Sequence, residues 1–287
     1  MTKTPVDIQG EVGSVSLSST IDDGSVVANV SFSLEYTNPA IIPYIATQNG
    51  SQTIAPRVRN LTSTGCDIFM EEPDNEGHNG ETVFYLVMES GTYNVDGTLI
   101  EAGVHNTSTT RSNTNGSTFG DSISFSQSFS SAPVLLHGGP QTYNNGEFVV
   151  TQANSITASG FNLSQEIMGT NSSTTTEDIG WIAISPSTGT IGEDPFDAGA
   201  ASDGSADGYE DTTHNISFSQ SFSSAPAIIV AGQTMNGSDG FLTVGTGIPS
   251  TSSHSVYAME DQITDTERAH ADETFGWFAI SEGVLGE

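Results

Sequence analysis

The residues best able to do chemistry sit in two acidic loops. One reads Glu71-Glu72-Pro73-Asp74-Asn75-Glu76-Gly77-His78-Asn79-Gly80-Glu81, the other runs from Glu260-Asp261 to Glu267-Arg268-Ala269-His270-Ala271-Asp272-Glu273. His78 and His270 lie 192 positions apart, and so do Glu81 and Glu273. Carboxylates and amides pair with sugar hydroxyls, and imidazole can both donate and accept. Glu71, His78, Glu81, Glu260, His270 and Glu273 are therefore candidate ligand-binding residues. The competing reading is a solvated acidic loop whose His and Glu brace a turn. Such oxygen-rich loops also suit Ca²⁺. No His-Glu-x-x-His, His-x3-His or EF-hand spacing marks a metal site, however, and the metal question stays open.

Catalysis finds little in the chain. A glycosidase needs two carboxylates facing one sugar at about 5–9.5 Å, and no matching acid pair recurs in all three units. There is no Gly-x-Ser-x-Gly elbow. The expectation is a non-enzyme with no catalytic residues. His105, His137, His214 and His254 share no register and read as surface or loop residues. Trp181 and Trp277 sit in apolar strands and read as core. Cys66, the lone cysteine, reads as a small buried hydrophobe and excludes an intrachain disulfide. Asn-x-Ser/Thr sequons occur at Asn49, Asn106, Asn115 and Asn236 among others, but no secretion signal accompanies them.

The elements that position these residues are repeated. Ile123-Ser-Phe-Ser-Gln-Ser-Phe-Ser-Ser-Ala-Pro133 recurs unchanged at Ile216–Pro226. A diverged copy runs from Val30 to Pro39. Tyr85, Trp181 and Trp277 follow at intervals of 96. These spacings predict three units, 1–95, 96–190 and 191–287, each large enough to bury a core. Glu11-Val-Gly13, Glu101-Ala-Gly103 and Asp197-Ala-Gly199 open the units, and Gly-rich stretches at 91–97 and 188–195 read as linkers.

Within each unit the period is two. Ile123 to Phe129 reads as one alternating strand. Val134-Leu-Leu136, Ala227-Ile-Ile-Val230 and Ala40-Ile-Ile42 suit central strands buried on both faces. Asn49-Gly50, Asn145-Gly146 and Asn236-Gly237 read as hairpin tips. The expected fold is all-β, with three tandem antiparallel six-stranded β-sandwiches.

This order of elements resembles the H-type lectin family. The resemblance rests on the Ile-Ser-Phe-Ser-Gln-Ser-Phe strand, Ser-Ala-Pro-Val-Leu-Leu, Ile156-Thr-Ala-Ser-Gly-Phe-Asn-Leu163 and Gly180-Trp-Ile-Ala-Ile184. It covers most of the second unit and, with gaps, the other two. It implies a sandwich that trimerises and binds sugar at protomer edges, as in viral tail and fibre proteins. The sugar sites implied use an Arg, an aromatic and a His or Asp. Arg57, Arg59, His78 and Tyr85 supply such a set in the first unit. The second has Val150 and Gln152 for the arginines and Thr174 for the His. The third has His270 and Trp277 but no matching Arg.

Thirty-five acidic residues stand against five basic ones, a net charge of −30. Salt screens such a surface, with a Debye length of about 3 Å at 1 M, so a halophilic setting is expected. Nucleic acid is excluded as a partner for want of Lys and Arg. No signal segment or membrane span is read, so synthesis in a host cytoplasm without a signal peptide is expected. The functional expectation is a virion surface protein of a halophilic virus, in a tail fibre, spike or turret. It would bind host-surface glycan or an S-layer-type glycoprotein, touch other virion proteins and assemble as a homo-oligomer, favouring a trimer. The alternative is a purely structural particle component with spacer domains.

Overall fold

The computed structural model describes residues 8–20, 27–73, 77–111, 119–144, 146, 148–167, 175–202, 213–237, 240–260 and 270–286. The acidic runs at 74–76 and 261–269, together with Asn115, Asn145 and Thr174, lie outside them. Among the described residues the protein is all-β, built from antiparallel sheets. No helix there is long and apolar enough to cross a membrane.

The strands form three comparable sets. The first comprises β1 (Gly10–Leu17), β2 (Ala28–Ser31), β3 (Pro39–Ile45), β4 (Ala55–Thr62), β5 (Gly65–Glu71) and β6 (Glu81–Glu89). The second has β7 (Gly91–Val95), β8 (Thr98–Thr107), β9 (Asp121–Ser124), β10 (Val134–His137), β11 (Val149–Thr157), β12 (Gly160–Ile167) and β13 (Glu177–Ile184). The third has β14 (Ser187–Ile191), β15 (Asp194–Ser202), β16 (His214–Ser217), β17 (Ala227–Gly232), β18 (Phe241–Gly245), β19 (Ser253–Glu260) and β20 (Thr274–Ile280). A short β21 (Gly283–Val284) closes the chain. Each set makes one three-stranded sheet, in orders β2-β5-β4, β9-β12-β11 and β16-β19-β18. The second and third also make four-stranded sheets, β7-β8-β13-β10 and β14-β15-β20-β17, and in the first β21 joins to give β21-β1-β6-β3.

The stretches read as linkers are strands. β7 pairs with β8 and β14 with β15, so each ribbon leaving one third lies beside the first strand of the next. β21 does the same for the first third, pairing Val284 with Glu11 and Gly283 with Val12. The three thirds thus close head to tail. Their largest apolar cluster is shared, drawing Ile42, Phe84 and Leu86 from the first, Leu136 and Ile182 from the second, and Ile229 and Phe278 from the third.

Three local expectations need correction. The Ile123–Phe129 strand ends at Ser124. Phe125 instead turns to stack edge-on against Phe129, and Phe218–Phe222 and Phe32–Tyr36 repeat that pairing. The apolar strands β3, β10 and β17 are sheet edges, not centres, and are buried because a neighbouring third covers them. The Asn-Gly segments are not hairpin tips: the loops that hold them carry the chain from one sheet to the other, β3 to β4 and β17 to β18.

The opening signatures fit the cores together. Gly13, Gly103 and Gly199 lie under Tyr85, Trp181 and Trp277, where a Cβ would come within 2.3–2.5 Å of the ring or its hydroxyl. The adjoining carboxylates of Glu11, Glu101 and Asp197 accept backbone N–H bonds from Ser33, Ser126 and Ser219. Trp181 and Trp277 are buried, and Trp277 Nε1 donates to Asp197 at 2.7 Å. Cys66 is buried opposite Val30, and burial pushes its thiol up to about 12.

Candidate functional site

Glu81, Glu177 and Glu273 begin or adjoin the last core strand of each third, and each carboxylate holds the loop opposite. Glu81 accepts from Thr47 Oγ1 and Asn49 N, both at 2.5 Å, and from Gly50 N at 3.2 Å. Glu177 accepts from Thr142 Oγ1 at 2.5 Å and Asn144 N at 2.8 Å. Glu273 accepts from Thr234 Oγ1, from Asn236 N at 2.5 Å and from Gly237 N at 3.2 Å. Each threonine oxygen in turn accepts a backbone N–H, from Thr82, Asp178 and Thr274, at 2.8 Å. All three glutamates are buried. Glu81 and Glu273 therefore brace turns. Glu177 is their counterpart in the second third, and Asn144, not Asn145, is the equivalent of Asn49.

The histidines belong to the same braces. A Cβ at Gly50 would lie 2.5 Å from His78 Nε2, and one at Gly237 2.5 Å from His270 Cε1. His78 Nδ1 donates to Asn79 O at 2.8 Å and lies 3.5 Å from Glu81. His270 is held by Glu260 through Nδ1 and by Glu273 through Nε2 at 3.0 Å. Burial alone would lower the His270 pKa, but its bonds to Glu260 and Glu273 outweigh that and raise it to about 9. The ring is an imidazolium at neutral pH.

A second ring of carboxylates, Glu71, Glu166 and Glu260, is buried nearby, and each is matched by a cation of different origin. Arg57 Nη1 donates to Glu71 Oε2 at 2.6 Å. The second third's Tyr143 donates to Glu71 Oε1 at 3.0 Å and faces the Arg57 guanidinium at 4.9 Å. Arg111, on the stretch after β8, reaches Glu166 at 3.4 Å and donates to Gly237 O of the third third at 3.0 Å. His270 serves Glu260, and Thr53 of the first third donates to the Glu260 carbonyl at 2.6 Å. These pairs lie where thirds meet. Strand register also revises the expected correspondence. Ala55 and Val150 pair with Glu71 and Glu166, so Gln152 and Asn154 stand where the first third has Arg57 and Arg59.

Of the remaining candidates, Tyr85 packs over Gly13 in the core and joins no polar cluster with Arg57. Arg59 is one-third exposed, lies 3.6 Å from Asp67 and faces the Phe69 ring at 5.1 Å. The expectation of surface histidines fails for two of four. His137 is buried, bonded to Thr151 Oγ1 and Gly232 O at 2.9 Å each. His254 Nε2 meets Tyr44 OH at 2.8 Å. Burial lowers both to about 4. Both sit on strands at contacts between thirds, where a neutral ring can bridge two polar groups.

Two glutamines close the seams between thirds. Gln141 Oε1 accepts from Ile41 N at 3.1 Å and its Nε2 donates to Pro39 O at 3.0 Å, capping the edge of β3. Gln233 does the same to β10, accepting from Leu135 N and donating to Leu135 O at 2.8 Å each. Each side chain lies over a glycine, Gly180 or Gly276. No motif marked these glutamines. The only hint was a glycine, where the first third has Phe84, in an otherwise apolar strand.

Among the described residues, two spaces lie between thirds. A narrow cavity of about 40 Å³ is walled by all three, with equivalent rings of Pro43, His137 and Val230 and of Ala55, Val150 and Phe241. An open cleft of about 530 Å³ lies between the first and second thirds, lined by Arg59, Asn60, Ser63, Tyr143, Asn144 and Asp178 among others. Its wall is largely polar and mixes a cation, amides, a carboxylate and a tyrosine. Among the described residues, no group of three His, Cys, Asp or Glu side chains gathers as a metal site.

No family model matches the chain, and no solved structure matches it. Halomucin of Haloquadratum walsbyi is 30% identical to it over 265 residues. That match takes in 85% of this chain but 3% of halomucin, so the chain is similar to a short stretch of a far longer protein.

Proposed function

We propose that the chain is a non-enzymatic recognition module, displayed outside a salt-adapted cell or on a virus particle, that binds a hydroxyl-rich ligand such as a surface glycan or glycoprotein. Each third is then a six-stranded lectin-like sandwich, and three of them in one chain stand in for three protomers. The cleft between the first and second thirds carries this reading. It joins Arg59 to Tyr143, Asn144 and Asp178 across a seam, the kind of place the lectin resemblance implies for sugar. Amides and carboxylates offer paired donors and acceptors to hydroxyls, and Tyr143 offers an amphipathic ring. The acidic surface and the likeness to halomucin support the salt-adapted setting.

The test is binding to a glycan array and to envelope glycoprotein of salt-adapted cells, in molar salt. Arg59→Ala, at a partly exposed position, is expected to weaken retention about tenfold, or about 1.4 kcal/mol. Failure of the unaltered protein to retain any of these ligands sinks the reading.

A second reading, a purely structural spacer, is favoured by a different observation. Arg57, Glu71, Glu81, Glu260, His270 and Glu273 are buried and bonded to one another or to loops, which suits assembly rather than capture. Under that reading Arg59→Ala changes neither binding nor stability.

A further inference from the structure

We infer that Asn215, on the exposed edge strand β16 of the third third, is an acceptor site for N-linked glycan. This rests on the proposed display outside the cell, and its test is separate from that of ligand binding. The chain has the acceptor pattern Asn-x-Ser/Thr at nine asparagines, seven of them among the described residues: Asn29, Asn49, Asn60, Asn106, Asn162, Asn215 and Asn236. Structure separates these seven. In a strand, residues i and i+2 share a face. On β16, Asn215 and Ser217 are both exposed while Ile216 points into the core at 1% exposure. Asn215 Nδ2 donates to Ser217 Oγ at 3.1 Å, so the amide and the hydroxyl of the pattern already meet on the surface. On β2, Asn29 and Ser31 are exposed around buried Val30, but Asn29 Nδ2 is tied to the Asp67 carboxylate across the strand pair.

Most of the other asparagines are engaged elsewhere. The amides of Asn49 and Asn236 are pinned to Gly80 O and Asp272 O inside the braced loops. Asn106 Nδ2 is held by Asp178. Asn60 takes a φ of 52°, and its Thr62 hydroxyl donates to Gly65 O. Asn162 is half-exposed, but its Ser164 is fully buried. The second third carries Ser122 where the others carry Asn29 and Asn215, so this face lacks the acceptor there.

β16 is an edge strand of its sheet. Unpaired strand edges invite association with other chains, and bulk beside them blocks it. The donor required is a lipid-phosphate-linked oligosaccharide, supplied with its transferase by the producing cell. The bond from Asn Nδ2 to the sugar C1 forms and the C1–O bond to phosphate breaks. The phosphate leaves with the bonding pair, and one amide proton passes to a base of the transferase.

The experiment is peptide mass spectrometry on the full chain made in a salt-adapted host and collected from the cell exterior, with protease access to intact cells scored in parallel. The expected result is a sugar mass on the Asn215 peptide, its loss in Ser217→Ala, its return in Ser217→Thr, and unmodified Asn29 and Asn162 peptides. Exterior protein with bare Asn215, or with sugar on Asn29 or Asn162 as well, overturns the assignment. Ligand binding that survives such a result would leave the proposed function standing.

Discussion

The seams that join consecutive thirds and the seam that closes the third back on the first solve one problem in two ways. At the first two, a buried glutamine from one third caps the backbone edge of the other, and a glycine makes room beneath it. At the closing seam Ala46 stands beside Thr47, and Phe84 replaces the glycine. Volume lost at one position returns at the other, but the edge cap does not. The closing seam relies instead on Tyr44 with His254, Thr53 with the Glu260 carbonyl, and β21 laid on β1. Similar backbones can thus be joined by polar capping or by apolar filling, and the choice shows in paired exchanges rather than in single residues.

The largest expected effect comes from the first seam. Arg57→Ala removes the guanidinium from the buried Glu71 carboxylate and is expected to cost about 3–5 kcal/mol in denaturant unfolding. An unchanged midpoint would mean that the pair is not buried as described. Gln233→Ala should follow at about 2–4 kcal/mol, because the Leu135 N–H and C=O lose their partner where water does not reach. Adding Gly276→Phe recreates the closing seam's solution. A double-mutant cycle should recover about 1 kcal/mol or more of that loss, and strict additivity would break the comparison.

Acid should single out the seams that hold neutral histidines. His254 and His137 titrate near 4 in the folded chain against an ordinary 6.5. The unfolded chain therefore binds more protons between those values. Stability is full above 6.5 and falls as pH drops toward 4, by up to about 3 kcal/mol per ring. His254→Gln should flatten part of that acid limb. His270 works in the opposite sense: raised to about 9, its contribution is complete below 6.5 and is lost as pH rises through 9. Thermal melts from pH 4 to 10 read both limbs. The smallest effect, about 2 kcal/mol, is expected from ending the chain after Glu282, which removes β21 and buried Leu285. Hydrogen exchange should then rise in β1 and β17 while β10 and β13 stay protected.

Much of this was legible in the residues. The 96-residue aromatic spacing, the carboxylate-x-Gly openings and the period-two strands follow from packing rules that act within about ten residues. The identical serine-rich segments were legible as a repeat but not as a turn, since Phe125 and Phe129 satisfy an alternating pattern and a stacked one equally well. The braces were half legible. Glycine follows the loop asparagine only where a histidine comes later, Gly50 with His78 and Gly237 with His270, whereas the second third has Asn145 and Thr174. The seams were not legible, because Gln141 and Gln233 act about 100 residues away on backbone atoms, which carry no sequence signal. Arg111 and Arg57 likewise serve equivalent glutamates from non-equivalent positions.

The meeting of β1 and β21 has a mechanical consequence. Glu11 faces Val284 and Val12 faces Gly283, so the first strand enters at the same end of the pair from which the last one leaves. Tension applied along the polypeptide would peel this short ribbon apart one rung at a time, like a zip, instead of shearing it. The ribbon would yield before the interior sheets feel the load, acting as a fuse while the body stays folded.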